Sequence, residues 1–161
     1  MAAASGDLVV GDLLSIPADG LIGIGIDLVD IPRVERLLAR HGARAMEKLL
    51  TDSEIAYVRG MARPTPHLAA RIAAKEAAFK ALQALPGAAS VSWHDLEVTR
   101  DPGGRPGMSL LGRAAALARR HGPLEVHLSL SHAQSAAGAV AVVVKRTRRS
   151  RRTSRKGRTK R

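Results

Sequence analysis

The stretch RIAAKEAAFKAL (Arg71 to Leu82) places Arg71, Lys75, Glu76 and Lys80 within ten residues. Glu76 and Lys80 stand four apart, so a helix would put them on one face. As a solvated pair they would contribute only a fraction of a kcal/mol. Set against a ligand, the same carboxylate and ammonium could hold a cation and a phosphate. Arg71 and Lys75, taken alone, fit a solvated face. A second carboxylate, Asp27, ends the glycine-containing run LIGIGIDLV (21–29). There it could offer oxygen to a hard cation, or Asp27 or Asp30 could cap the next helix. The third group is HLSLSH (127–132). Strand alternation puts His127, Ser129 and Ser131 on one face and Leu128 and Leu130 on the other, while His132 ends the run where it could project into a cleft. A nucleophilic Ser–His pair would lack the strand–turn–helix G-x-S-x-G context. The His, Asp and Glu spacing matches no zinc signature. No one of these signals assigns a function.

The elements that must position these groups can be read from periodicity. LIGIGIDLV is a β-rich run fit for a buried strand. DIPRVERLLARHG reads as a helix with Asp30 as cap, Pro32 in its first turn and Gly42 after its end. Thr51 to Glu54 is a capping-box pattern that opens a second helix through Tyr57, and RPTP breaks the chain. A long helix is predicted over 66–85, with Leu68, Ile72, Lys75, Phe79 and Leu82 on one line. Its alanines would let it pack closely and leave room for a ligand. VSWHDLEVTR (91–100) alternates like a strand, DPGGRPG is a turn, and MSLLGRAAALARRHG is mostly a short helix. LEVHLSLS (124–131) and AAGAVAVVVK close the body as strands. Strand, helices, strand, helix and two strands predict an α+β fold with a small, largely antiparallel sheet.

Charge divides the chain. The last seventeen residues, 145–161, hold eleven of the 26 basic side chains and no acid, which leaves 15 basic against 14 acidic groups in 1–144. The formal charge of +12 therefore belongs to a tail. Such a block is expected to be disordered and to attract nucleic acid, anionic membranes or acidic proteins without specificity. Residues 1–20 read as an N-terminal extension, without the basic start and apolar run of a signal peptide. No segment approaches the roughly 20 apolar residues of a membrane span. With no cysteine and one each of Phe, Tyr and Trp, disulfides and thiolate metal sites are excluded and stacking platforms for single-stranded nucleic acid nearly so. A cytoplasmic location fits the missing cysteines.

Taken together, GIGIDLVDIPR, RIAAKEAAFKAL, GGRP and LSLSH, in this order and spacing, resemble the acyl-carrier-protein synthase family of phosphopantetheinyl transferases. The resemblance runs from about Leu21 to Val144, giving one domain over 21–144. It implies transfer of the phosphopantetheine arm of coenzyme A to a serine of apo acyl carrier protein, in fatty-acid or polyketide biosynthesis. It implies that Asp27 and Glu76 hold Mg²⁺ and that Lys80 binds the pyrophosphate and stabilises or protonates the leaving phosphate. Arg71 and His132 would lie near the nucleotide and its 3′-phosphate. Gly104, Arg105 and Pro106 would line the adenine side, with Ser131 also among the coenzyme-binding residues. The general base stays open. The acidic carrier would meet the stripe made by Arg33, Arg36 and Arg40, spaced three and four apart; Arg33 matches the family's arginine after G-I-D. Members are typically homotrimers with sites between subunits. Some relatives carry an Asp after the His of S-x-S-H, where this chain has Ala133. The alternative reading is a nucleic-acid-associated protein that binds through its tail.

Overall fold

The computed structural model describes residues 20–146. The extension up to residue 19 and the tail from 147 onward lie outside them. Strand β1 (Leu21–Asp30) leads into α1 (Ile31–His41), α2 (Ala43–Leu49), α3 (Asp52–Arg59) and the long α4 (Pro64–Leu82). Two short 3₁₀ turns, Ala88–Ser90 and Trp93–Asp95, precede β2 (Leu96–Arg100), β3 (Pro106–Leu110), α5 (Gly112–His121), β4 (Leu124–His132) and β5 (Ala136–Lys145). The five strands form one antiparallel sheet in the order β1-β5-β4-β3-β2, the expected α+β class.

Local chemistry starts the helices. Asp30 Oδ1 accepts from the Arg33 amide at 2.7 Å, and Pro32 sits in the first turn of α1. Thr51 and Glu54 form the anticipated capping box of α3. Pro64 and Pro66 do not break the chain: both lie in the first turn of α4, where missing amides cost nothing and a fixed φ suits the helix. The helix therefore starts earlier than its periodicity suggests and stops at Leu82.

Helix α4 lies directly on β1 and β5. Ala73, Ala74, Ala77, Ala78 and Ala81 are buried in the contact, facing Ala139, Ala141 and Val143. A Cβ on Gly23 would collide with the carbonyl oxygen of Ala81, and one on Gly25 with that of Ala77. Glycines and alanines at these facing positions let backbone approach backbone, so β1 is held at the distance that brings Asp27 beneath the helix.

Four further readings are corrected. PGMSL is a strand, with Leu96 opposite Leu110 and Val98 opposite Met108; its short apolar run merges in sequence with the helix that follows, where periodicity cannot separate them. Residues 93–95 form a 3₁₀ turn rather than strand, because Asp95 accepts from the Ser92 amide and hydroxyl at 2.7 and 2.8 Å. Helix α2 fills what read as a connection. Arg71 and Lys75 are buried, at 4% and 1% exposure, instead of solvated.

The sheet's other face is open, so β1 is not the buried strand that its composition suggests. Ile24, Ile26 and Leu28 of β1 are 58%, 62% and 74% exposed, beside Val140 of β5.

Candidate active site

β1 and α4 bring Asp27, Glu76 and Lys80 to one place. The Lys80 ammonium donates to Asp27 Oδ1 at 2.8 Å and to the Ile26 carbonyl at 3.2 Å. Its ion-pair partner is therefore Asp27 on the strand below, not Glu76 one turn back on its own helix. The hydrogen bond to Asp27 raises the Lys80 pKa above its ordinary 10.5, with the Glu76 carboxylate adding a smaller push. Asp27 and Glu76 both line a cleft of about 700 Å³, together with Arg33, Arg36 and Arg40 of α1 and Trp93 of the 3₁₀ turn. Helix α1 follows β1 at once, so the capping of α1 by Asp30 also swings its arginine stripe to the cleft that Asp27 borders. Leu49, Ile72 and His41 complete much of the wall. The single Trp and His41 carried no sequence motif and were not anticipated.

The donor set suits a hard cation that shares its coordination with a substrate. Among the described residues no cluster of three His, Cys, Asp or Glu side chains could hold a metal by itself. Two carboxylates on one cleft match an ion that keeps several waters and takes phosphate oxygens as well.

A second cavity opens at the far end of β4. His132 lines it with Arg63, Pro66 and His67. Arg71 lies one turn along α4 from His67, with its guanidinium 3.9 Å from the centre of the Tyr57 ring, and Arg100 approaches the same ring at 5.5 Å. His67 meets Tyr57 edge-on, with ring centres 5.8 Å apart. Burial, then the positive fields of Arg71, Arg100 and His132, hold His67 below its ordinary pKa of 6.5. Arg71 and His132 both act on His67, but Arg71 does not line the cavity of His132. Arg63, His67 and Arg100 were missed, although His67 and Arg71 stand four apart on one helix face, a spacing the sequence does display.

The remaining residues sit elsewhere. Gly104 and Arg105 form the exposed turn that joins β2 to β3, and Pro106 opens β3. Gly104 has φ of +81°, and its amide reaches the Asp101 carbonyl at 2.9 Å while the Arg105 amide reaches Asp101 Oδ1 at 2.9 Å. None of the three lines either cavity. Ser131 is paired with Gly138 and His132 with Ala137, so Ser131 points to the open face while His132 points to the α4 side.

A family model described as the 4′-phosphopantetheinyl transferase superfamily matches residues 23–142. The chain is 46% identical over 123 residues to a holo-[acyl-carrier-protein] synthase of Moorella thermoacetica, covering 76% of this chain and 94% of that one. It is 42% identical over 124 residues to the synthase of Koribacter versatilis, covering 76% and 98%. Among solved structures it resembles a holo-(acyl-carrier-protein) synthase of Bacillus anthracis in complex with CoA (3′,5′-ADP), with a TM-score of 0.64, 33% identity and coverage of 79% and 99%. A Helicobacter pylori synthase in complex with coenzyme A gives a TM-score of 0.63, 30% identity and coverage of 74% and 98%.

Proposed function

The chain belongs to the 4′-phosphopantetheinyl transferase superfamily, and on that premise we propose that it transfers the 4′-phosphopantetheine arm of coenzyme A to a serine of apo acyl carrier protein. The observation that carries this reading to a site is the single cleft lined by Asp27, Glu76 and three arginines of α1, with Lys80 on Asp27. In the transfer, the carrier serine hydroxyl gives its proton to a water or a nearby carboxylate, its Oγ bonds to the β-phosphorus, and the bond from that phosphorus to the bridging oxygen breaks. Adenosine 3′,5′-bisphosphate leaves with the bridging electrons. Asp27 and Glu76 would hold Mg²⁺, whose contribution is to neutralise charge on the pyrophosphate. Lys80, kept protonated by its carboxylate neighbours, binds the pyrophosphate and meets the charge or gives the proton that the leaving oxygen needs.

The pocket lined by Arg63, His67 and His132, with Arg71 and Arg100 close by against the Tyr57 ring, suits the nucleotide's 3′-phosphate. Gly104, Arg105, Pro106 and Ser131 would serve the adenine side. Because they lie apart from that pocket within one chain, a homotrimer with sites shared between subunits is the assembly this reading requires. Its support is the exposed apolar face of Ile24, Ile26 and Leu28, a patch of the kind that marks protein–protein contact. Arg33, Arg36 and Arg40 would receive an acidic carrier helix. The setting is cytoplasmic fatty-acid or polyketide synthesis; among the described residues no helix is long and apolar enough to cross a membrane. The nucleic-acid reading rests on the tail alone, and the family match ends before it.

Incubation with apo carrier protein, coenzyme A and Mg²⁺ is expected to add the mass of the arm to the carrier serine, read by intact-protein mass spectrometry. No mass gain across a panel of carriers sinks the reading.

A further inference from the structure

Lys75 precedes Glu76 in sequence, and the chemistry above gives it no task. Its side chain is 1% exposed. The ammonium binds Glu54 Oε2 at 2.6 Å, the Leu49 carbonyl at 2.8 Å and the Trp93 carbonyl at 3.0 Å. These three acceptors use every N–H of a lysine. Glu54 is satisfied as well: Oε1 accepts from the Val98 amide at 2.9 Å and Oε2 from the Thr51 amide at 2.9 Å. A buried ammonium must place all three of its N–H groups, and here two of them go to main-chain carbonyls rather than to side chains. Desolvation by burial outweighs the Glu54 contacts and holds the Lys75 pKa below its ordinary 10.5. The two carbonyls it holds belong to Leu49 and Trp93, and both residues line the cleft of Asp27 and Glu76. Trp93 and Glu76 also share a smaller pocket with Lys75 itself.

We propose that Lys75 is a positioning residue that ties the Leu49 and Trp93 walls of the cleft to the turn of α4 carrying Glu76. The inference rests on the transferase reading for its effect on turnover. Its structural part stands independently, because Trp93 is the sole tryptophan of the chain and its fluorescence reports the wall directly.

The test compares the full chain with three variants. Lys75→Met strands a buried Glu54 charge. Glu54→Gln combined with Lys75→Met removes both charges and keeps an acceptor for the Val98 amide. Glu54→Gln alone keeps the ammonium on both carbonyls. The double variant is expected to regain thermal stability lost by Lys75→Met, yet to show kcat lowered about tenfold or more with KM for coenzyme A unchanged, as small misplacements of a site do. Acrylamide should quench its Trp93 more readily than in wild type. Glu54→Gln alone leaves a buried cation without its counter-charge and should lose stability, yet its folded form should keep wild-type kcat and quenching. A folded double variant with wild-type kcat and quenching overturns the proposal. So does a tenfold loss of kcat in Glu54→Gln alone, even if the double variant does not fold. If the wild type modifies no carrier, the transferase reading fails, and the quenching comparison alone decides the role of Lys75.

Discussion

Lys75 and Lys80 stand five residues apart on α4 and live in opposite surroundings. Lys75 is buried with three fixed acceptors, one of them the Glu54 carboxylate. Lys80 has 46% of its side chain exposed and has one carboxylate partner across the cleft edge. Five residues turn a helix by about 140° beyond a full circle, so one lysine faces α3 and the 3₁₀ turn while the other faces β1. Both read as charges on a helix in sequence. The difference teaches that a cation's task follows from what lies across from it: an enclosed side makes it a brace, and an open side leaves it free for a ligand.

The comparison can be broken most severely from the buried side. Lys75→Met leaves Glu54 buried without its partner and should cost about 3–5 kcal/mol of stability, measured by denaturant unfolding; a loss under 1 kcal/mol would mean that the ion pair is not structural. The mirror change on the open side is Glu76→Gln. It should lower kcat by about 10²–10³-fold, the scale for loss of one group stabilising transition-state charge, with the unfolding midpoint unchanged. Full activity in that variant would remove Glu76 from the metal assignment.

A smaller effect is expected where the helix meets the strand. Gly25→Ala pushes a methyl group against the Ala77 carbonyl and should destabilise the chain by about 1–3 kcal/mol through overpacking, while also lowering transfer because Asp27 shifts away from Lys80. Wild-type melting and turnover would show that the close approach of β1 and α4 is not needed.

The smallest effect concerns pH and the cationic pocket. His67 has a folded-state pKa below its ordinary 6.5, so between those values the unfolded chain binds the proton and the folded chain does not. Stability should be complete above pH about 6.5 and decline as pH falls toward the folded value. His67→Gln should flatten that decline in melts between pH 5.5 and 7.5. Adding adenosine 3′,5′-bisphosphate should move the His67 titration upward, as an anion favours imidazolium; a titration that stays put would argue against phosphate in that pocket.

Much of the site was legible before any coordinates. The capping roles of Asp30, Thr51 and Glu54 follow from short-range rules and hold. Asp27, Glu76 and Lys80 stood out only through the family resemblance; the structure places Asp27 and Glu76 on one cleft, with Lys80 bonded to Asp27. Their pairing was not legible, because Lys80 chooses Asp27 over its helical neighbour only once β1 lies beneath α4. Strand β3 was hidden because five residues cannot show a period distinct from the helix they abut. The pocket of Arg63, His67 and His132 was hidden because the start of α4 and the end of β4, distant in sequence, supply it together.

By itself the sequence determined the capped helices α1 and α3, the body of α4, the long closing strands and the chemical inventory, since capping, periodicity and side-chain type act over a few residues. Tertiary structure alone decided which charges are enclosed. The glycines of β1 and the alanines of α4 set the distance between strand and helix and leave Lys80 with Asp27 at an open cleft, while α2, α3 and the 3₁₀ turn close over Lys75 on the other side. Desolvation and partner geometry depend on groups distant in sequence, so burial of a charge is settled only when those groups meet.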